Sequence, residues 1–204
     1  CLIFCISGSV VDGHNFIVGV IEAGAGAIVV ERADAFDFNE ISADVCIIKV
    51  DSSRYAMGMI SSAFYDYPST KLKVIGITGT KGKTTTTYMI REMLKQAGHK
   101  TGLIGTIETI IEDKITPAEH TTPESMALQK LLKDMVDAGL DSVVMEVSSQ
   151  GLMLDRVAGI HFDFGIFTNL SEDHIGPNEH KDYAEYRMWK SKLFSLCDTG
   201  IFNA

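Results

Sequence analysis

The stretch from Lys71 to Ala97 constrains the fold more than any other part of the chain. An apolar run, Val74-Ile75-Gly76-Ile77, passes into Thr78-Gly79-Thr80-Lys81-Gly82-Lys83-Thr84-Thr85, and a helix-forming segment then continues to Gly98. Lys71 to Thr78 reads as a strand, and Lys83 to Ala97 as a helix closed by Gly98 in the usual C-terminal position. The glycines let the backbone curl until its N–H groups face one point, and the helix N-terminus adds partial positive charge there. That junction suits a phosphate group. Lys83 can reach the β- and γ-phosphates of a nucleotide, and Thr84 can ligate Mg²⁺. The spacing departs from the strict G-x-x-x-x-G-K-[ST] pattern of a phosphate loop (P-loop), because Ile77 stands five residues before Gly82. The plainer alternative is a Gly-rich turn that joins strand to helix and binds nothing.

Around this unit the chain alternates. Phe16 to Glu22 has helical spacing, and Ala27 to Val30 and Val45 to Val50 read as buried strands. Arg54 to Tyr65 is a helix, broken by Asp66-Tyr67-Pro68-Ser69, where a domain boundary is expected. Thr101 to Thr106 is a strand and Ile107 to Thr116 a hairpin. Pro123 to Ala138 is a helix with Pro in its first turn and Gly139 just beyond it. Ser142 to Val147 and Phe162 to Thr168 are strands, Tyr183 to Leu196 is a helix, and Gly200 to Ala204 begins another strand. Strands alternating with helices imply an α/β fold with a doubly wound, mostly parallel sheet. Residues 1–68 form a smaller α/β domain and residues 69–204 the domain that carries the phosphate loop. The chain has no initiator Met and opens inside an apolar run, so it is expected to be a fragment, both domains being truncated.

A net charge of -9 argues against a broad nucleic-acid surface, which needs clustered Lys and Arg. The four cysteines form neither a CxxC pair nor metal-finger spacing, which suits a reducing cytosol. No apolar run reaches the roughly 20 residues of a membrane span, and the start has no basic leader. A cytoplasmic monomer is expected.

Glu146 and His174 each stand at the predicted C-terminal end of a strand, where a parallel sheet faces the same crevice as the phosphate loop. Together with Thr84 they can share Mg²⁺. Singly, a capping carboxylate and a loop histidine are the plainer readings. His14, His99, His161 and His180 read as structural or solvated, and Trp189 as core.

Several motifs together resemble the Mur ligase family. Thr78-Gly79-Thr80-Lys81-Gly82-Lys83-Thr84-Thr85 is similar to the nucleotide loop of the Mur ligases and folylpolyglutamate synthases, with Lys81 where Asn is usual. Thr121-Thr122-Pro123-Glu124 resembles the loop that holds the UDP-muramyl substrate. Glu146-Val147-Ser148-Ser149-Gln150-Gly151-Leu152 resembles a run of the branch that adds the third residue of the peptide, with Gln150 in place of His. Thr168-Asn169-Leu170-Ser171-Glu172-Asp173-His174 matches the Thr-Asn-x-x-x-Asp-His of the family, and Gly8 to His14 resembles its uridine-side loop.

The resemblance implies an ATP-dependent ligase of peptidoglycan precursor synthesis. Its substrates would be UDP-MurNAc-L-Ala-D-Glu and a diamino acid, diaminopimelate or lysine, joined through an acyl phosphate. ATP would lie on Gly79, Thr80, Lys81, Gly82, Lys83, Thr84 and Thr85. The UDP-linked substrate would meet Ser9, Val10, Val11, Thr121, Thr122, Ser148 and Arg156. Mg²⁺ would be held by Thr84, Glu146, His174 and a carbamate made from CO₂ on Lys190, with Lys83, His174 and Lys190 catalytic. Residues 1–68 would be the UDP-binding domain, 69–204 the central ATP-binding domain, and a C-terminal ligase domain would be absent, so the fragment alone would be inactive. Lys190 follows Tyr186 by four residues as in the family, but Ile175 to His180 is two residues longer than the common form, which keeps Lys192 as a competitor. The rival readings are another ligase of the superfamily and an ATP-binding regulatory module without ligase chemistry.

Overall fold

A computed structural model describes residues 1–8, 11–32, 44–177 and 179–203. The chain divides into two compact units, Cys1–Met57 and Gly58–Ala204, so the division falls within a helix rather than in the loop that follows it. The first unit holds strands β1 (Leu2–Phe4), β2 (Ala27–Val30) and β3 (Cys46–Lys49) in one parallel sheet of order β1-β2-β3. Helix α1 (Ile17–Glu22) starts one residue later than its spacing suggests. The Asp12 side chain accepts from His14 N and opens a 3₁₀ turn, Gly13–Phe16, ahead of it. Cys5, Ile17, Ala25, Ile28 and Val30 close the core. Helix α2 (Ser53–Phe64) spans the division. It ends before Asp66 and Tyr67, both with positive φ, and a 3₁₀ turn at Pro68–Lys71 delays the next strand to Lys73.

The second unit is built on β4 (Lys73–Thr78), α3 (Lys83–Gln96), β5 (Thr101–Ile104), the hairpin β6 (Glu108–Ile111) and β7 (Lys114–Pro117), α4 (Ser125–Asp137), β8 (Ser142–Glu146), α5 (Ser149–Met153), β9 (Phe162–Phe167), α6 (Tyr183–Ser191) and β10 (Cys197–Phe202). Its sheet has the order β10-β9-β4-β8-β5-β6-β7. The five strands from β10 to β5 are parallel, and the hairpin adds two antiparallel ones. From Val74 to Ile77 β4 is apolar and buried, because both its faces are covered there. Val74 packs with Leu128, Leu132, Met135 and Phe162, the first three spaced as one stripe of α4. Ile75 and Ile77 pack with Ile90 and Leu94 of α3.

Two further expectations are revised. α6 stops at Ser191 and tightens into a 3₁₀ turn, Lys192–Ser195, where Ser191 and Ser195 hydroxyls bond back to Met188 and Lys192 carbonyls. The last strand begins at Cys197, not Gly200, paired with Phe162.

Candidate functional site

β4 ends at the carboxyl edge of the sheet between β8 and β9, so the loops after all three strands converge. Gly79 has φ +147 and Gly82 φ +81, conformations that side chains resist. A Cβ on Gly79 would fall 2.0 Å from Thr168 Oγ1. The loop is fastened to the β9 end: Thr80 N donates to Asn169 O at 2.9 Å, Lys81 N to Asn169 Oδ1 at 2.9 Å, and Thr168 Oγ1 to Lys81 O at 2.7 Å. Gly82, before α3, offers no side-chain cap to the first-turn N–H groups. Gly79→Ala is therefore expected to lower stability by about 1–3 kcal/mol. An unchanged melting curve would mean that the loop yields around the methyl group.

A cleft of about 510 Å³ opens above this loop. Lys83, Thr84, Thr121, Thr122, Glu146, Ser148, Arg156, His174 and Lys190 all line it, so residues from six separate stretches of the second unit meet there. Glu146, the last residue of β8, is fully buried. Its Oε2 accepts from Thr84 Oγ1 at 3.1 Å and Thr106 Oγ1 at 3.0 Å, and its Oε1 from Thr106 N at 2.9 Å. Carboxylate and hydroxyl oxygens side by side are the donor set of a hard divalent cation, so the pair fits Mg²⁺.

Lys83 Nζ donates to Gly79 O at 2.9 Å and Thr80 O at 3.2 Å. Burial pulls its pKa below the ordinary lysine value, against the pull of Glu146 and Asp173. Lys190 is almost wholly buried. Its Nζ donates to the same Gly79 carbonyl at 2.8 Å and stands 4.6 Å from the centre of the Tyr186 ring. Burial first, and the nearby Lys83 charge second, bring its pKa down to about 7. Tyr186 is held by its hydroxyl on Thr80 Oγ1 at 3.1 Å. Lys192 faces Trp189 and Asp155 instead, and does not line the cleft.

His174 lines the cleft from the β9–α6 loop rather than from a strand end. Its Nδ1 lies 3.0 Å from Glu179 Oε1, and no hydrogen bond among the described residues joins it to Glu146 or Thr84.

On the other side of the cleft, Thr122 is buried, its hydroxyl donating to Glu146 O at 3.1 Å and accepting from Ser148 N at 3.0 Å. Ser148 caps α5 by accepting from Gly151 N at 2.9 Å. Thr121 Oγ1 shares a hydrogen bond of 3.0 Å with Thr106 Oγ1. Arg156 does make an ion pair, with Glu124 at 2.7 Å, but it also donates to Thr122 O at 3.0 Å and its Nε is buried without a partner. It is thus a mostly enclosed cleft residue.

In the first unit, Val11 is exposed, while Ser9 and Val10 lie outside the described residues. His14 is buried and structural: its ring spans Asp12 Oδ1 at 2.7 Å and Glu31 N at 3.1 Å. Sequence reasoning missed Thr106, which has no motif around it, and α5, which is only five residues long. It also missed Glu119 and His120, which line the cleft beside the Thr121-Thr122 pair and were signalled only by that adjacency.

The Mur ligase middle domain model matches residues 77–204, and a second, the Mur ligase family catalytic domain, matches residues 1–65. A UDP-N-acetylmuramoyl-L-alanyl-D-glutamate--2,6-diaminopimelate ligase of Clostridium tetani is 47% identical over 202 residues, covering 99% of this chain and 41% of that protein. The protein of the same name from Bacillus licheniformis is 46% identical, covering 99% and 39%. The chain thus spans about two fifths of the length of these relatives. A solved structure of a UDP-N-acetylmuramoyl-L-alanyl-D-glutamate--2,6-diaminopimelate ligase matches with a TM-score of 0.79 at 23% identity, over 99% of this chain and 40% of that one. The MurF ligase of Thermotoga maritima in complex with ADP matches at 0.58 and 20% identity, over 98% and 42%. At such identities the two structures speak for the fold alone, but the models and the relatives speak for more: this chain belongs to the Mur ligase family.

Proposed function

We propose that the chain carries the nucleotide and UDP-substrate sites of an ATP-dependent ligase that adds diaminopimelate to UDP-MurNAc-L-Ala-D-Glu in peptidoglycan precursor synthesis. The observation that carries this reading is that one cleft holds both halves, the phosphate loop with Glu146 on one side and Thr121, Thr122, Ser148 and Arg156 on the other. Residues 69–204 supply the ATP-binding part and residues 1–68, with Val11 and the neighbouring Ser9 and Val10, the uridine side. A cytoplasmic setting goes with ATP use; no described helix is long and apolar enough to cross a membrane.

A carboxylate oxygen of D-Glu attacks the γ-phosphorus of ATP, the bond to the bridging oxygen breaks, and ADP leaves with its electron pair. The amine nitrogen then attacks the acyl carbon, the carbon–oxygen bond to phosphate breaks, and the nitrogen loses its proton. Phosphoryl transfer of this kind needs alignment and neutralisation of charge. Lys83 and the first-turn N–H groups of α3 would face the transferring oxygens. Mg²⁺ held by Thr84, Glu146, His174 and a carbamylated Lys190 would draw off negative charge from the phosphates. Arg156 and the hydroxyls of Thr121, Thr122 and Ser148 suit a diphosphate or carboxylate.

The test is ADP release by the full-length protein with each substrate withheld in turn. ADP formed only when ATP, UDP-MurNAc-L-Ala-D-Glu and the diamino acid are all present is expected; ATP use independent of the UDP-linked substrate sinks the reading. Within it, Arg156→Ala should weaken binding of UDP-MurNAc-L-Ala-D-Glu by about 10- to 100-fold, the value of charge-assisted hydrogen bonds of roughly 1.5–3 kcal/mol. Calorimetric titration measures this, and an unchanged affinity removes Arg156 from the site.

A further inference from the structure

His180 has no exposed surface, although nothing in its sequence surroundings sets it apart from a solvated loop histidine. Its Nε2 shares a hydrogen bond of 2.8 Å with Ser149 Oγ, its ring stands 5.3 Å from that of Tyr186, and its Nδ1 is buried without a partner. Its backbone closes the loop that carries His174. His180 N donates to His174 O, Gly176 N donates to His180 O, and Glu179 N donates to Gly176 O, each at 3.1 Å. His174 itself has φ +54, a conformation that persists in a non-glycine residue only where the surroundings hold it.

Ser149 opens α5, directly after the Ser148 cap, and Ser149 and Gln150 both line the cleft. The loop from β9 to α6 grips the nucleotide side, because Ser171 N donates to Thr80 Oγ1 at 3.0 Å and Asn169 holds Lys81. The loop from β8 to α5 carries the opposite side through Ser148. The His180–Ser149 bond therefore joins the two halves of the cleft, between side chains that are both buried. A buried bond between an imidazole and a hydroxyl is a rigid tie, since losing one partner leaves the other without its hydrogen bond in a dry site.

We infer that His180 is a positioning residue: through Ser149 it sets the spacing between the nucleotide loop and the substrate loop, so that the bound carboxylate meets the bound phosphoryl group. This rests on the ligase reading above. Two-substrate alignment is sensitive to such spacing, a shift of about 1 Å lowering the rate by roughly 10²-fold. Binding of either substrate alone does not require it.

The test measures kcat, and KM for ATP and for UDP-MurNAc-L-Ala-D-Glu, in the full-length protein. Ser149→Ala should lower kcat by about 10-fold or more while each KM stays within about 2-fold. Ser149→Thr, which keeps the hydroxyl, should restore most of the rate. His180→Phe keeps a ring of similar bulk without the bond, and adding Ser149→Ala to it should lower kcat no further. Unchanged kcat in Ser149→Ala overturns the inference, as does a loss that falls on KM and melting temperature with kcat intact. Additive losses in the double variant also overturn it. Should His180→Phe fail to fold, the Ser149 pair decides alone. A wild-type protein whose ATP use ignores the UDP-linked substrate defeats the ligase reading and this inference together; an active wild type with an indifferent Ser149→Ala defeats only the inference.

Discussion

Lys83→Ala is expected to lower ATP turnover of the full-length protein by about 10²–10³-fold or more, with the circular dichroism spectrum unchanged. The ammonium spans the mouth of the phosphate loop on the Gly79 and Thr80 carbonyls, bonds that a bound phosphate can replace. The loop does not depend on it for shape. Its fastening comes from Thr168, Asn169 and Ser171 acting on Thr80 and Lys81, and from the αL glycine at 82. Removing the charge thus takes away stabilisation of the transferring phosphoryl group while leaving the fold. Lys83→Arg should not rescue, because a planar, forked guanidinium cannot occupy the space of a compact ammonium. Turnover near wild type in Lys83→Ala would make the loop a structural turn.

The parts of this site that sequence made legible are those where one residue type carries the chemistry within a short run. The β4–α3 junction is such a run: apolar residues covered on both faces, glycines with positive φ, then Lys and Thr at a helix start. Glu146 was legible because it ends a strand, and the sheet places strand ends together. Thr106 was not, since it reaches Glu146 from the end of β5, 40 residues away, and a lone threonine carries no signal of that partner. The His174 loop was legible as a motif but not as a shape. His174 was expected at a strand end, and its position instead comes from the closed turn from His174 to His180, set by backbone bonds and by the burial of His180. The end of α6 was misjudged for a local reason, because serine hydroxyls bonding to backbone carbonyls compete with helix continuation. Family resemblance alone singled out Arg156 and Lys190, which residue type would have left as a surface ion pair and a solvated helix-face lysine.

Lys190 should be the residue whose loss is rescued by small acids. Its Nζ and that of Lys83 both donate to the Gly79 carbonyl, at 2.8 and 2.9 Å, and two ammonium groups on one acceptor repel. Lys83 has the opposing charges of Glu146 and Asp173, whereas Lys190 has Asp173 alone and lies deeper, so Lys190 is the one that gives up its proton. Its pKa near 7 lies below the ordinary 10.5, so the neutral amine gains as pH rises through about 7 and is lost as pH falls below it. The neutral nitrogen can add to the carbon of CO₂, releasing a proton and leaving an anion with two oxygens, the kind of ligand Mg²⁺ takes. Lys190→Ala should therefore lower turnover by about 10²-fold or more, partly restored by bicarbonate or a short-chain carboxylic acid. Lys192→Ala should be mild, because that side chain rests on Trp189 and Asp155. Carbon-13 spectra of the protein under labelled CO₂ should show a carbamate signal that grows between about pH 6 and 8, absent in Lys190→Ala. A reversed pattern between the two lysines would assign the carbamate to Lys192, and no signal with an active enzyme would mean that Lys190 serves as a neutral or charged amine.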